Sequence, residues 1–148
     1  MTPNNIDSIN KVVGTSGCFD IIHPGHTRLF EHMRELAGLY GRVVVFLNVD
    51  EYIRDIKGHE PRMSYEERKE VLLALRWIDL VLPLRQLTPE LLIDIVRPNI
   101  WVKGCDYGPE NAPETLTVEN YGGIVKFVNV GYSRHSGDIV GVKHGKTG

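Results

Sequence analysis

Hydrophobic residues along the chain fall into short runs that alternate with longer stretches of helical periodicity. Five of the runs have the length of buried strands, and one of them is a nearly continuous run of β-branched and aromatic residues. These predicted strands are Lys11–Thr15, Arg42–Val49, Leu80–Leu84, Ile100–Lys103 and Ile124–Val130. Alternation of strands with helices is typical of α/β proteins with parallel sheets. The pattern therefore predicts a doubly wound, mostly parallel five-stranded sheet with helices on both faces.

The stretches between the first three strands carry helix signals. Apolar residues recur at helical spacing over His26–Tyr40, which predicts the first helix, and Asp50–Asp55 predicts a short second helix. Ser64 and Glu67 form a capping-box sequence that predicts the start of a third helix. The predicted apolar stripe of this helix consists of Val71, Leu72, Ala74, Leu75 and Ile78.

A fourth helix is bracketed by Thr88 as its N-cap, with Pro89 in its first turn, and by Pro98 beyond its end. Its predicted apolar residues are Leu91, Leu92, Ile95 and Val96. The segment Gly104–Gly123 has few apolar residues and two prolines, so it is predicted to be a long loop with about one helical turn. Doubly wound sheets bind ligands outside the carboxyl ends of their strands. The loops after the first, second and fourth strands are therefore the candidate site.

Composition limits the class of protein and of partner. The 148 residues suit one domain, 1–148, and 42% hydrophobic and 24% charged residues are ordinary globular values. A formal net charge of -2 provides no broad basic surface for nucleic acid or an anionic membrane, so a small molecule or another protein is the expected partner. Two cysteines without metal-binding spacing, and the absence of a signal-peptide pattern, predict reduced thiols and a cytoplasmic location. Flexible tails are expected at 1–10 and 142–148.

Two histidines stand three residues apart where the first helix is expected to begin. His23 and His26 flank Pro24, which fixes the backbone, and Gly25, which lacks a side chain and lets a ligand approach. Two imidazoles, the N–H groups of the helix start and the helix dipole would then meet at one point, which suits a phosphate group. The spacing alone leaves open the alternative of a helix start with two surface histidines.

The segment Gly17–His26, which reads GCFDIIHPGH, is similar to the GxFDxxHxGH signature of the cytidylyltransferase-like family of nucleotidyltransferases. The resemblance extends over about Lys11–Val130 and includes Lys57 and the Glu-Glu-Arg sequence that ends at Arg68. Within the family, the sequence VKGCDY over Val102–Tyr107 resembles the VKGGDY pattern of bacterial heptose 1-phosphate adenylyltransferases. Glycerol 3-phosphate cytidylyltransferases are similar over the first half of the chain.

The resemblance implies transfer of AMP or CMP from ATP or CTP to a phosphorylated sugar or polyol, with release of pyrophosphate. Mg²⁺ would be carried by the triphosphate rather than by protein ligands, and a homodimer is a further expectation. The implied catalytic residues are His23, His26 and Lys57. The implied nucleotide-binding residues are Gly17, Cys18, Phe19, Asp20, Gly25, Lys103, Gly104 and Asp106. We add Ser133, Arg134, His135 and Ser136, which are the clustered candidates for phosphate donors after the fifth strand. The implied substrate-binding residues are Asn48, Asp50, Arg62 and Arg68.

Three of these residues keep a second interpretation. Lys57 is otherwise a solvated surface lysine in a glycine-containing loop. Arg68 follows a capping box, where a positive charge is mildly unfavourable to the helix dipole, so it is expected either to pair with a carboxylate such as Glu67 or Asp50 or to reach a phosphate. Cys18 is more typical of a small packing residue than of a catalytic nucleophile.

The end of the chain departs from the family pattern. Related enzymes follow the last strand with Ser-Thr-Thr and an amphipathic helix whose N-terminus receives the triphosphate. Here Gly131–Val140 takes that place, and glycines would cut the helix short at a cost of about 1 kcal/mol each. We therefore expect Ser133–Ser136 to form a loop or a single helical turn that faces His23 and His26. The alternative is a nucleotide-binding module with reduced or lost turnover.

Overall fold

A computed structural model describes residues 11–86, 88–104 and 112–132, and in these ranges it shows one sheet. The strands pair in parallel throughout, in the order β3-β2-β1-β4-β5. They are β1 (Val12–Gly17), β2 (Arg42–Asn48), β3 (Leu80–Leu84), β4 (Ile100–Gly104) and β5 (Ile124–Val128). The helices are α1 (Pro24–Ala37), α2 (Asp50–Lys57), α3 (Tyr65–Ala74), α4 (Glu90–Val96) and α5 (Glu114–Asn120). The predicted doubly wound five-stranded α/β sheet is confirmed.

The central strand β2 shows why the sheet is covered on both faces. Its side chains alternate between two hydrophobic clusters, with Val43, Val45 and Leu47 in one and Val44 and Phe46 in the other. The first cluster includes residues of α1 and α3, and the second includes one buried residue each from α4 and α5. A strand buried on both faces needs apolar residues at every position, which accounts for the continuous run in the sequence.

Two helices differ from their predictions at the ends. α1 begins at Pro24 rather than at His26, because His23 caps it. α3 begins where the Ser64–Glu67 capping box predicts, but it ends at Ala74. Leu75 has extended backbone angles, so it and Ile78 pack against the core from beyond the helix.

The prediction for the buried face of α4 is right in part, since Leu92 and Val96 pack against the second cluster. Its N-cap is Pro89 rather than Thr88, and its buried residue is Ile93, while Leu91 and Ile95 are 55% and 70% exposed. The sequence over Glu90–Val96 is apolar at most positions, so its periodicity does not single out one face.

The predicted loop over Gly104–Gly123 contains more helix than expected. α5 comprises seven residues, and its Glu114 and Val118 are buried one turn apart. Among the described helices, none has the length and apolar character needed to cross a bilayer.

Candidate active site

The strand order reverses between β1 and β4, because the chain runs from β1 outward to β3 on one side and returns to β4 on the other. This position is the topological switch point of the sheet. The ladder between β1 and β4 consists of two register pairs, Val13 with Ile100 and Gly14 with Trp101. Beyond these pairs a side-chain hydrogen bond connects the two strands: the hydroxyl of Thr15 donates to the Val102 carbonyl at 2.7 Å. Strands that separate at their carboxyl ends leave the crevice in which such sheets bind ligands.

His23 caps the N-terminus of α1 at this crevice. Its Nδ1 accepts a hydrogen bond from the backbone N–H of Gly25 at 3.1 Å. His26 occupies the third helical position and makes the reciprocal bond: its Nδ1 accepts from the backbone N–H of His23 at 3.3 Å. The two imidazoles therefore form a capping box of the kind that Ser and Glu usually form. A neutral imidazole whose Nδ1 accepts carries its proton on Nε2, so the capping bond directs the proton of His23 to Nε2.

The two imidazoles stack on each other. Their ring centroids lie 3.6 Å apart with an interplanar angle of 23°. The ring of Phe19 meets His26 edge-on, with centroids 5.0 Å apart. Burial, followed by the charge of His23, lowers the pKa of His26 to about 3, although a hydrogen bond with the Ile21 backbone opposes the shift. His26 is therefore a neutral ring at any pH at which the protein is expected to work.

The shifted pKa of His26 predicts an acid-sensitive fold. An unfolded chain protonates this histidine near pH 6.5, whereas the folded protein does so only near pH 3. Between these values the unfolded state binds more protons, so the free energy of unfolding falls as the pH is lowered, by roughly 1 kcal/mol per pH unit. His26→Gln should flatten this dependence in urea unfolding series at pH 7, 6 and 5, because glutamine keeps the capping box without titrating.

A matched control for this series is His59→Gln, which removes an exposed histidine. Its pH dependence should follow that of the parent protein. The assignment to His26 is wrong if the parent and His26→Gln lose stability equally between pH 7 and pH 5.

Gly17 at the end of β1 and Gly25 in the first turn of α1 leave room for rings. A Cβ on Gly17 would lie 2.8 Å from the Phe19 ring, and a Cβ on Gly25 would lie 2.9 Å from the His23 ring. Phe19 itself has a φ of 44°, a left-handed conformation that is uncommon outside glycine. The space at Gly25, expected from the sequence to admit a ligand, is thus taken up by His23 and by Tyr132, whose ring lies 3.1 Å from the same point.

Arg68 is fully buried and joins three segments around the site. Its Nη1 donates to the carbonyls of Cys18 at 2.9 Å and Asn48 at 2.7 Å, and its Nε donates to Met63 at 3.0 Å. Its Nη2 pairs with Asp50 at 2.6 Å. Of the two alternatives from the sequence, the structure shows the ion pair with Asp50. With no exposed surface, Arg68 offers a substrate no direct contact in this conformation.

Asp20 makes a second connection between the same loops. Its carboxylate accepts from the backbone N–H groups of Arg62 at 2.7 Å and Met63 at 3.0 Å. The loop that carries the histidines is thereby fastened to the segment before α3, while the side chain of Arg62 remains exposed. Asp20 was expected to bind the nucleotide. The contacts that its carboxylate makes in the structure are instead to backbone N–H groups of this chain.

Lys57 and Cys18 lie close to each other and to the histidines. Burial raises the pKa of the Cys18 thiol, and the charges of Lys57 and Arg68 only partly offset that increase. The thiol donates to the side chain of Asn48, with sulfur and oxygen 3.6 Å apart. A protonated, half-buried thiol is a poor nucleophile, in agreement with a packing role. Lys57, the last residue of α2, is exposed, and its charge also lowers the pKa of His26.

Lys103 lies at the carboxyl end of β4, as predicted, and is held by a residue that sequence reasoning missed. Its Nζ is 3.1 Å from a carboxylate oxygen of Glu114, which is 2% exposed. The same oxygen accepts from the indole of Trp101 at 3.2 Å. Beside Lys103, a Cβ on Gly104 would meet no atom of the described residues within 4 Å.

Several predicted nucleotide-binding residues lie outside the described residues: Asp106, Ser133, Arg134, His135 and Ser136. The same holds for the tails predicted at 1–10 and 142–148. In the ranges that the structure does describe, there is no group of three or more His, Cys, Asp or Glu residues placed to hold a metal ion.

The site therefore combines a histidine-capped helix, a switch-point crevice and nearby lysines. A sequence model of the family described as Cytidylyltransferase-like matches residues 15–130, most of the chain. The chain belongs to the cytidylyltransferase-like family. This confirms the resemblance drawn from the GxFDxxHxGH signature and makes the chain a member of a family of nucleotidyltransferases.

Curated relatives of this family member match it over part of their own length. It is 42% identical to the bifunctional protein HldE of Syntrophotalea carbinolica over 130 residues. This alignment covers 87% of the present chain and 26% of the HldE protein. It is 42% identical over 120 residues to the HldE protein of Vibrio cholerae strain M66-2, which is 80% of this chain and 25% of that protein. The chain thus spans about a quarter of the length of these relatives.

A solved structure shares the fold of this family member. The lipopolysaccharide core biosynthesis protein of Thermoplasma volcanium superposes with a TM-score of 0.66 at 22% identity, over 80% of this chain and 97% of that protein. At this identity the likeness supports the fold alone.

Proposed function

We propose that this chain transfers a nucleoside monophosphate, AMP in the first instance, from a nucleoside triphosphate to a phosphorylated sugar such as heptose 1-phosphate, releasing pyrophosphate. The observation that carries the proposal is the pair of imidazoles at the N-terminus of α1, with Nδ1 of His23 engaged by the backbone N–H of Gly25. The resemblance to heptose 1-phosphate adenylyltransferases and the identity to HldE proteins support the choice of acceptor.

The chemistry of this transfer requires positive donors more than a covalent nucleophile. An acceptor phosphate oxygen attacks the α-phosphorus, and negative charge builds on the equatorial oxygens and on the departing pyrophosphate. His23 would donate its Nε2 proton to these oxygens, and the dipole of α1 would add to the attraction. His26 stays neutral and is bonded to the backbone of His23 and Ile21, so its contribution is to hold His23 rather than to supply charge.

The negative charge of a bound triphosphate is balanced best by cationic side chains on more than one side of it. We assign this role to Lys57 at the end of α2 and to Lys103 at the end of β4, which flank the crevice from neighbouring loops. Glu114 is buried and bonded to Lys103, so it fixes the position of that ammonium group. Arg62, exposed and with its backbone fixed by Asp20, is proposed to contact the phosphate of the acceptor.

Magnesium is proposed to arrive with the triphosphate. The carboxylates beside the histidine loop are already engaged, Asp20 by two backbone N–H groups and Asp50 by Arg68. Magnesium commonly keeps water and substrate phosphates as ligands, so it needs no dedicated protein cage here. The ion would neutralise charge on the phosphates while the residues of this chain orient them.

The substrate choice predicts that ATP with heptose 1-phosphate releases pyrophosphate faster than other pairs do. The panel crosses ATP, CTP and GTP with heptose 1-phosphate, another sugar 1-phosphate and glycerol 3-phosphate, and release of pyrophosphate is measured. His23→Asn serves as the control for contaminating activity. Preference for CTP with glycerol 3-phosphate would replace the adenylyltransferase by the related cytidylyltransferase. Nucleotide binding without pyrophosphate release for any pair would identify a nucleotide-binding module instead.

The homodimer expected from the family stays a prediction. α4 and α5 present apolar side chains that such an interface would bury. These are Leu91, Ile95 and Leu116, each more than half exposed.

A further inference from the structure

Tyr132 lies four residues beyond the edge strand β5 and contacts His23 of the histidine pair. Its ring stacks on His23, with centroids 5.0 Å apart and an interplanar angle of 25°. His26 stacks on His23 at 3.6 Å with a similarly small angle. The imidazole of His23 is therefore the middle ring of a stack of three.

Arg28 on α1 holds the segment that delivers Tyr132. Its Nη1 donates to the backbone carbonyls of Val130 at 3.0 Å and Gly131 at 2.9 Å. Its guanidinium carbon also lies 5.9 Å from the centre of the Tyr132 ring, within the range of a cation–π contact. One arginine of the helix that His23 caps thus fixes both the backbone before Tyr132 and the ring itself.

Gly25 shows that the stack depends on the absence of a side chain. A Cβ at this position would lie 3.0 Å from Nδ1 of His23 and 3.1 Å from Cδ2 of Tyr132. Contacts this tight would require the neighbouring rings to shift, so a larger residue here would push the two rings apart. Gly25 therefore serves the contact between His23 and Tyr132 as well as the helix start.

We propose that Tyr132, held by Arg28, is a positioning residue that fixes the plane of His23 for phosphate contact, so that the cap bond from Gly25 stays made and the proton stays on Nε2. This inference rests on the proposed nucleotidyl transfer and adds a residue to its machinery. A cap hydrogen bond alone leaves an imidazole able to tilt about its bonds. Rings packed on both faces remove that freedom, so Nε2 of His23 keeps one direction before the triphosphate binds.

Kinetics of two Tyr132 variants test the proposal. Tyr132→Leu removes the flat ring and should lower kcat between about tenfold and a hundredfold while KM for ATP changes much less, because misdirected donors matter most in the transition state. Tyr132→Phe keeps the ring and should retain kcat within about a factor of three. Equal kcat in the parent, the leucine variant and the phenylalanine variant overturns the proposal.

A nitrogen NMR measurement separates this inference from the proposed function. In protein labelled with ¹⁵N-histidine, the parent and Tyr132→Phe should show His23 as the single tautomer with its proton on Nε2, and Tyr132→Leu should show exchange between tautomers. This experiment needs no turnover. The same tautomer in all three proteins overturns the positioning role, even if no substrate pair releases pyrophosphate. A parent without turnover, but with the expected NMR pattern, instead counts against the proposed function alone.

Arg28 provides an independent check. Arg28→Met removes both carbonyl contacts and the cation, and it should lower kcat in the same direction as Tyr132→Leu. The double variant should be no slower than Tyr132→Leu alone, because both changes act through one ring. Additive losses contradict the proposal, since they would mean that the two residues act separately.

Discussion

Replacing His23 with asparagine is expected to lower kcat by about a hundredfold to a thousandfold while leaving the stability of the fold nearly unchanged. Asparagine is a good N-cap, because its side-chain oxygen accepts from the helix N–H groups as Nδ1 of His23 does here. It has no group at the position of Nε2, so the donor to the transition state is lost. Steady-state pyrophosphate release and thermal unfolding, measured on the same preparation, separate the two effects.

His23→Ala is the matched comparison for this experiment. It removes the donor and the cap together, so it should lose similar activity and about 1 kcal/mol of stability as well. His59→Asn, at an exposed position, should change neither quantity. If His23→Asn turns over at the parental rate, the catalytic assignment of His23 is wrong.

Replacing Arg68 with methionine is expected to destabilise the protein by about 3 to 5 kcal/mol, the usual cost of breaking a buried ion pair by removing one partner. Methionine fills much of the volume but leaves the carbonyls of Cys18 and Asn48, and the carboxylate of Asp50, without their donor. Urea unfolding of the parent and the variant measures this difference.

Arg68→Lys tests whether the geometry of the guanidinium, rather than its charge, holds the loops. An ammonium group cannot reproduce a planar fork that serves three carbonyls and a carboxylate at once. The lysine variant should therefore regain only part of the lost stability, and its kcat should stay low because the loops that carry Cys18 and Asp50 lose their common anchor. If the lysine variant is as stable and active as the parent, the positive charge of Arg68 is what matters and the geometry of its guanidinium group is not.

The parts of the site that lie close together in sequence were predictable from the sequence. His23 and His26 are three residues apart, and their spacing on one helix turn already indicates that they meet. The capping box at Ser64 and the strand Leu80–Leu84 depend on equally local rules, and both are confirmed. Lys103 was placed at the carboxyl end of a strand because the fold class was predicted correctly.

What the sequence could not supply depends on contacts between distant residues. Tyr132 lies 109 positions after His23, and nothing in the residues around it indicates a ring partner. Glu114 lies in a polar stretch that suggests a loop, although it is buried and bonds Lys103. For Arg68, local rules indicated an unusual charge near a helix start, but only the fold shows that Asp50 is its partner.

The position of β1 in the middle of the sheet determines when the site can form during synthesis. β1 pairs on one side with Arg42–Leu47, about thirty residues downstream, and on the other with Ile100 and Trp101, 87 residues downstream. Closing the longer loop costs about 1 kcal/mol more in chain entropy than closing the shorter one. A ribosome synthesises β1 and β2, with both histidines, well before it reaches β4. The crevice between β1 and β4 therefore exists only once the chain has been made through Gly104.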